Sequence, residues 1–288
     1  MTRTRSIDLA WMLLPTLIFL LVFFIYPLAL AFYYSTLEWD LLSPPRFVGL
    51  NNFRVLFASG ALLEVLVTTL KISLTAVVGS TFVGLALALA VNRPGRLAAF
   101  VRSCVFSAYV VSWVSVALLW LWMLDADSGI ISSVARGLGS EKPGWLASAS
   151  SAPFAVALVI VWKVAGYAMV LFLSGLQSIP DSVNEAAALD GANRLRRFRH
   201  VTWPLLGPTT AFVTTTSLIL TFQAFDVVRV MTQGGPVRST TVFVYSIYEQ
   251  MFLDLRVGRA SAEVVVFFLL LLALTALQFW AFRRRGAL

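Results

Sequence analysis

Six long stretches of the 288-residue sequence are apolar enough to cross a membrane, and this pattern constrains the fold more than any other feature. A spanning helix needs about 20 mostly apolar residues, because its backbone must satisfy its own hydrogen bonds where water is absent. The stretch between Leu9 and Leu37 is too long for a signal-peptide core, so we expect it to be retained as a helix. The sequence predicts an all-α membrane protein with six transmembrane helices, at residues 10–34, 65–91, 101–124, 152–176, 205–228 and 262–282.

The composition supports a membrane protein and excludes several classes of site. Hydrophobic residues make up 59% of the chain and charged residues only 12%, whereas soluble domains carry about 25% charged residues. One cysteine, Cys104, and one histidine, His200, exclude a disulfide within the chain and a metal cluster of His or Cys. The net charge of +8 comes from arginines that flank apolar stretches, which is typical of membrane topology. We expect a lipid bilayer around the chain, no metal, no bound cofactor and no nucleic-acid partner.

The distribution of basic residues predicts the orientation. With the N-terminus inside, the inner segments hold twelve Lys and Arg residues and the outer segments hold eight. This bias favours cytoplasmic N- and C-termini, because inner loops are enriched in basic residues. We divide the chain into an N-terminal tail, first helix and outer loop (1–64), a core of five helices (65–282) and a basic tail (283–288). The loop at 180–204 is then cytoplasmic.

This loop contains the polar sequence EAAALDGANRLRRFRHVTWP, which predicts a short helix, a turn and a second short helix. Ser182 followed by Glu185 matches a capping box at the start of the first helix. Gly191 lies where a left-handed helix stop is expected. Asn193 is placed to cap a second helix at 194–201, which Pro204 is expected to end.

Two interpretations of the loop follow from its residues. One is a surface hairpin whose arginines bind lipid headgroups. The other is a docking surface, in which the small side chains of Ala186, Ala187 and Ala188 let another protein approach closely and the arginines bind its carboxylates.

The spacing of the loop resembles the EAA loop of ATP-binding-cassette importer permeases. The matching positions are Glu185, Ala186, Ala187, Gly191, Val201, Trp203 and Pro204. Trp203 departs from the pattern, since the family usually has Leu there, and we expect this to affect local packing. Other segments are similar to carbohydrate permeases, namely FVGLNNF (47–53), WKVAGYAMVLFLSGLQSIP (162–180), MTQGGPVRSTTVFVYSIYEQMF (231–252) and ALQFW (276–280).

The resemblance implies the type I ABC importer permease fold in a bacterial or archaeal cytoplasmic membrane. It also implies a second homologous permease, two copies of a cytoplasmic ABC ATPase and an external solute-binding protein. ATP and Mg would be used by the ATPase, since this chain has no G-x-x-x-x-G-K-[ST] loop. The residues expected to couple the chain to the ATPase are Glu185, Ala186, Ala187, Leu189, Asp190, Gly191, Arg194 and Pro204.

The substrate class is less closely determined. The segments VTWPLLGPT and MTQGGP resemble the glycerol-3-phosphate branch of the family more than other carbohydrate branches, which leaves a sugar or oligosaccharide such as a disaccharide as the alternative. A stand-alone, ion-coupled secondary transporter would explain a charged residue within a span but not the ordered loop. A membrane-embedded enzyme would need clustered catalytic groups, which the sequence lacks.

Several polar residues lie within the predicted spans. Lys163, near the middle of the fourth span, either lines the substrate path or bonds to carbonyls of a neighbouring helix. Hydroxyls of the fifth span repeat at steps of four and three and share one face, where they either line the path or bond back to their own helix. Glu263 is expected to be an ordinary charge at the outer boundary. The candidate pathway residues are Lys163, Thr214, Ser217, Thr221, Gln223 and Asp226.

Overall fold

The computed structural model describes residues 12–139 and 144–284. Within these ranges the chain is almost entirely helical, and a short antiparallel pair is formed by β1 (Leu37–Glu38) and β2 (Arg46–Phe47). The predicted all-α class is therefore confirmed. The basic residues Arg3 and Arg5 and the tail at 285–288 lie outside the described residues.

The helices of the described ranges follow one another closely along the chain. In chain order they are α1 (Met12–Tyr34), α2 (Asn51–Ala58), α3 (Ala61–Val91), α4 (Arg96–Val110), α5 (Trp113–Met123), α6 (Ile130–Gly137), α7 (Ala152–Gln177), α8 (Asp181–Leu189), α9 (Arg194–Leu205), α10 (Gly207–Phe222), α11 (Phe225–Met231), α12 (Phe243–Tyr248, followed directly by a π-helical turn at Glu249–Leu253) and α13 (Val257–Arg284).

Four of these helices, α1, α3, α7 and α13, are each long and apolar enough to cross a membrane. Two bent pairs meet the same criterion: α4 with α5, which meet at 100°, and α9 with α10, which meet at 66°. If each bent pair is one span, the described residues hold six, as the sequence predicts.

Two of the predicted spans were wrong as continuous helices. The third is interrupted at Val111 and Ser112, whose extended backbones have ψ of 143° and 140°. The fifth is interrupted at Ala224, where the N–H of Phe225 donates to the carbonyl of Gln223 at 2.7 Å in a tight turn. Neither break contains the proline or glycine that usually marks an interruption.

The chain divides into two compact units, and each is described separately. The first unit comprises residues 1–63 and 246–270, of which the structure describes those from 12. In it, the buried amide of Asn52 donates to the carbonyls of Ser35 and Leu37, both at 2.8 Å. The N–H of Val257 donates to the carbonyl of Trp39 at 3.0 Å. The first two bonds fix α2, and the third fixes the start of α13, beside the chain segment that follows α1.

The second unit comprises residues 64–245 and 271–288, and its described part is built around α7. A Cβ atom added to Gly166 of α7 would lie 2.4 Å from the carbonyl oxygen of Val105 in α4, and one added to Gly84 of α3 would lie 2.5 Å from Ala168 of α7. Glycine therefore permits the close approach of backbones that membrane helices use for packing. The apolar core that results includes Leu85, Ala88, Val91, Ala168, Met169, Phe172, Leu173, Leu176, Leu206 and Val213.

Candidate functional site: the polar loop and the mid-span polar groups

The first helix of the polar loop, α8, begins without the predicted capping box. It starts at Asp181 after the extended residue Pro180, and no side chain caps its first turn. Ser182 is therefore already inside the helix, and its predicted role was wrong. Asp181 takes a place in the first turn, where a carboxylate interacts favourably with the helix dipole.

The turn between α8 and α9 confirms two sequence predictions. Gly191 has φ of +73°, and the N–H groups of Gly191 and Ala192 donate to the carbonyls of Ala188 and Ala187 at 3.1 and 3.0 Å. This pattern is a Schellman stop. The Asn193 side chain accepts from the N–H of Arg196 at 2.9 Å, so it caps α9 as predicted.

The second helix is longer than predicted and contains Pro204. It runs from Arg194 to Leu205, with a π-helical turn at Phe198–Thr202, instead of ending at residue 201. The N–H of Trp203 donates five residues back, to Phe198. This wider turn accommodates Pro204, which has no N–H to donate, and the bend follows one residue beyond Leu205.

The loop presents an exposed surface that is anchored in the core of its own unit. Glu185 and Ala186 are exposed, Leu189 is 90% exposed and Leu195 is 75% exposed. Both leucines are apolar side chains that the rest of the described chain leaves uncovered. Among the other predicted coupling residues, Ala187 is half-buried and the rest are exposed, namely Asp190, Gly191, Arg194 and Pro204.

Two side chains connect the loop to the core. Ile179, just before α8, and Phe198, within α9, both pack against the apolar cluster of α3, α7 and α10. These two contacts join the polar loop to the packed side chains of the spans.

Lys163 lies on α7 and is buried, with 1% of its surface exposed. Its ammonium donates to the carbonyls of Ala108 at 3.2 Å and Tyr109 at 2.9 Å, and also to that of Val111. It lies 4.8 Å from the ring centroid of Trp113. The structure therefore shows the second of the two predicted arrangements of Lys163, in which it bonds to carbonyls of a neighbouring helix.

A cavity of about 520 Å³ brings Lys163 together with Asp226 from α11. Aromatic side chains and the broken backbone of the third span form the rest of its lining: Phe106, Tyr109, Val110, Val111, Ser112 and Trp113. An aromatic wall with a few polar groups is typical of a small-molecule site.

The fifth-span hydroxyls lie elsewhere and mostly bond to their own helix. Thr214 donates to the carbonyl of Thr210 at 2.8 Å, and Thr221 to that of Leu218 at 3.0 Å. Ser217 is fully buried, and its hydroxyl has no hydrogen-bond partner among the described residues. Gln223 is exposed at the break between α10 and α11. These four residues do not line the cavity that Lys163 and Asp226 share.

Glu263 is not the ordinary charge that the sequence predicts, because its side chain is buried and hydrogen-bonded. Its side chain is 1% exposed and accepts hydrogen bonds from Ser246, at 3.1 Å, and from Gln250. The helix α13 begins at Val257, earlier than the predicted 262, so Glu263 lies two turns inside it. Its two partners, Ser246 and Gln250, lie four residues apart before α13.

Two exposed turns are built alike around a carboxylate. Asp40 accepts from the N–H and the hydroxyl of Ser43, each at 2.7 Å. Asp125 accepts from the same two groups of Ser128, at 2.7 and 2.8 Å. Hydrogen bonds from the serine N–H groups, with those from the hydroxyls, hold the pKa of Asp40 and of Asp125 below the ordinary aspartate value.

Comparison with protein families gives one matching model, described as the binding-protein-dependent transport system inner membrane component, over residues 80–286. Among similar curated proteins, the sn-glycerol-3-phosphate transport system permease protein UgpA of Agrobacterium fabrum is 34% identical, covering 92% of this chain and 91% of that protein. UgpA of Escherichia coli O157:H7 is 35% identical, with coverage of 92% and 90%. The sulfoquinovosyl glycerol transport system permease protein SmoG of Agrobacterium fabrum is 34% identical, with coverage of 95% and 91%.

A solved structure shares the fold. A chain of a bacterial ABC transporter that imports the acidic polysaccharide alginate superposes with a TM-score of 0.83 at 23% identity, covering 98% of this chain and 96% of that chain. The same transporter in complex with an alginate pentasaccharide-bound periplasmic protein gives a TM-score of 0.81.

Proposed function

Because the chain belongs to the family of binding-protein-dependent transport system inner membrane components, we propose that it is the subunit through which glycerol-3-phosphate or a related glycerophosphodiester crosses the cytoplasmic membrane. The chain is a multi-pass permease subunit of a sugar-type ABC importer and is not an enzyme. ATP hydrolysis in this family belongs to a separate subunit.

The observation that supports this substrate is the set of relatives that align over nearly the whole chain. The UgpA proteins are named for sn-glycerol-3-phosphate, and SmoG is named for sulfoquinovosyl glycerol, so both names contain a glycerol group. The alternative substrate is a sugar or oligosaccharide such as a disaccharide.

The proposed assembly contains this chain, a second homologous permease, two copies of a cytoplasmic ABC ATPase and an extracytoplasmic solute-binding protein. A relative in fold is described in complex with a periplasmic protein that holds its oligosaccharide, which supports the last of these partners. The ATPase would use ATP and Mg. Both termini and the α8–α9 loop are placed in the cytoplasm, on the basis of the excess of basic residues in those segments.

The proposed coupling site is the exposed face of the α8–α9 loop. Its supporting features are the rigid stop at Gly191, the exposed leucines Leu189 and Leu195, and the anchoring of Phe198 in the core. ATP binding closes the two ATPases, the loop moves with them, and the packed spans move between inward-open and outward-open states. A stand-alone secondary transporter would have no use for such a surface.

The proposed solute path passes the cavity that Lys163 and Asp226 share. Aromatic rings and a carboxylate suit the hydroxyls and apolar faces of glycerol or a sugar. Thr214, Ser217, Thr221 and Gln223 lie apart from this cavity and are candidates only for a separate part of the path along α10.

Uptake by the reconstituted importer tests the proposal. Proteoliposomes that contain both permeases and the ATPase, with ATP and Mg inside, are supplied with binding protein and labelled sn-glycerol-3-phosphate or a disaccharide. We expect ATP-dependent uptake of the glycerophosphate. Uptake of the disaccharide alone would establish the alternative substrate, and uptake without the ATPase would contradict the importer assembly.

A charge reversal tests the coupling site. Replacing an exposed interface residue of central importance weakens association by roughly 30-fold or more, so we expect Glu185→Lys to release the ATPase and abolish uptake. Glu64→Lys, at an exposed position near the start of α3, is the matched control and should leave uptake intact. Equal uptake by the two variants would contradict docking through this face.

A further inference from the structure

The break between α4 and α5 is held by a residue far away in the sequence. The extended backbones of Val111 and Ser112 end α4, so its last carbonyls have no N–H partners in a following turn. Within a membrane, lipid offers no group to satisfy them, so their partners come from the protein or from a water-filled cavity. The Lys163 ammonium bonds to three carbonyls of this end, those of Ala108, Tyr109 and Val111.

These three bonds occupy all the donors that the ammonium has, since a lysine side chain carries three N–H groups. Its charge is balanced by the negative end of the α4 dipole and by the Trp113 ring at 4.8 Å. Asp226 lines the same cavity, but the described residues include no ion pair between Asp226 and Lys163. The ammonium is therefore fully engaged by the backbone and a ring.

The same face of α7 also holds the preceding turn of α4. Gly166 is three residues after Lys163, so the two lie on one face of the helix. The close approach of Gly166 to the Val105 carbonyl brings α4 near enough for the lysine to reach the carbonyls one turn later. One contact sets the distance between the helices, and the other satisfies the broken end.

We propose that Lys163 is a positioning residue for transport, which fixes the angle between α4 and α5 and thereby directs the rings of Tyr109 and Trp113 toward the cavity. It does not bind an anionic group of the substrate, because its donors are already used. The expected effect on uptake rests on the proposed solute path. The expected effect of Lys163 on the angle between α4 and α5 is independent of that path.

The angle is measured by the distance between two spin labels in the assembled importer. Leu97 of α4 and Leu118 of α5 are both exposed, and they accept labels as cysteines once Cys104 is replaced by Ala. We expect Lys163→Met to shift or broaden the distance distribution. Lys71→Met is the matched control: Lys71 lies exposed over the Phe154 ring at 4.8 Å and should leave the distribution unchanged.

Uptake is measured on the same variants. Maximal uptake by Lys163→Met should fall about tenfold or more, the scale of losing a hydrogen bond to a charged group. A distance distribution unchanged by Lys163→Met would overturn the proposal, and loss of uptake at unchanged distance would assign the lysine to the substrate instead. The distances need no substrate, so an error in the proposed substrate leaves this test valid.

A second variant covers the case in which Lys163→Met does not assemble. Lys163→Arg keeps the charge, but the N–H groups of the planar arginine guanidinium cannot point at three converging carbonyls as those of an ammonium do. We expect a broadened distribution and reduced uptake. A distribution identical to that of the unsubstituted chain would overturn the proposal.

Discussion

Two interruptions of helical structure in this chain are stabilised in opposite ways. The turn between α8 and α9 is satisfied by its own residues, through the left-handed Gly191 and the capping side chain of Asn193. The break between α4 and α5 is satisfied by Lys163, more than fifty positions away on another helix. An exposed turn can use bulk water for its remaining groups, whereas lipid offers none, and at the α4–α5 break the protein itself supplies the donors.

This difference between the two interruptions predicts which of them is disturbed by a substitution on another helix. A substitution on α7 that touches nothing in the third span except its backbone should still disturb the α4–α5 break. Substitutions in the α8–α9 turn should change the local structure of that turn and leave the α4–α5 break unchanged. Four changes, from the largest expected effect to the smallest, examine this contrast.

Gly166→Ala should have the largest effect. The new Cβ would lie 2.4 Å from the carbonyl oxygen of Val105, and backbone on both sides must move to relieve it. Overpacking of this kind costs about 1–3 kcal/mol or more, and here it also separates Lys163 from its carbonyls. Thermal unfolding of the purified chain in detergent measures the loss.

Gly137→Ala is the control for this change. Gly137 ends α6, and an added Cβ meets no atom within 4 Å. The same methyl group should then be neutral or slightly stabilising, because alanine favours a helix over glycine. A loss of stability as large as that of Gly166→Ala would contradict the role of close packing between α4 and α7.

This contrast also explains how much of the structure could be predicted from the sequence. The all-α membrane class follows from the composition and the apolar stretches of the chain. The turn at Gly191 and Asn193 follows from capping interactions among residues that are close together in the sequence. The break at Val111 could not be predicted, because no proline or glycine lies beside it and the group that bonds to its carbonyls lies on α7. Only the presence of a lysine in the middle of a span indicated that some backbone nearby lacked partners.

The buried Glu263 illustrates the same limit. Its partners Ser246 and Gln250 lie before α13, and no local pattern connects them to a carboxylate inside the helix. For the candidate pathway residues, the sequence placed the hydroxyls of α10 on one face. It did not indicate that Thr214 and Thr221 bond back to their own helix.

Gly191→Ala should have the second largest effect, and a position with the same backbone geometry provides its control. Gly191 and Gly60 both have φ of +73°, and an added Cβ would meet nothing within 4 Å at either. Alanine in this conformation costs about 1–2 kcal/mol, so both variants should lose similar stability.

The two glycine variants should differ in function. Only Gly191→Ala should reduce ATPase-driven uptake, since only this turn belongs to the proposed coupling surface. Equal uptake defects in Gly191→Ala and Gly60→Ala would assign the effect to general instability.

Asn193→Ala should have a smaller effect than either glycine variant. It removes the side-chain oxygen that accepts from the Arg196 N–H, and loss of such a cap costs typically about 1 kcal/mol. Asn193→Asp keeps an acceptor at this position and should restore most of the stability. Hydrogen exchange at the first turn of α9 measures the change locally, and unchanged protection in Asn193→Ala would show that the cap contributes nothing.

Acidification should have the smallest effect, and it acts on two turns that are as self-contained as the one at Gly191. Hydrogen bonds from Ser43 and Ser128 lower the pKa of Asp40 and of Asp125 in the folded chain. The stabilisation is therefore complete above the ordinary aspartate pKa of about 3.9 and is lost as the pH falls through the lower folded pKa. The double variant Asp40→Asn with Asp125→Asn should show a shallower fall in melting temperature between about pH 5 and pH 2 than the unsubstituted chain. Since both carboxylates are exposed and bonded within three residues, the α4–α5 spin-label distance should not respond to this titration. A change in that distance over the same pH range would mean that a local turn is coupled to the break, and the separation between the two kinds of interruption would not hold.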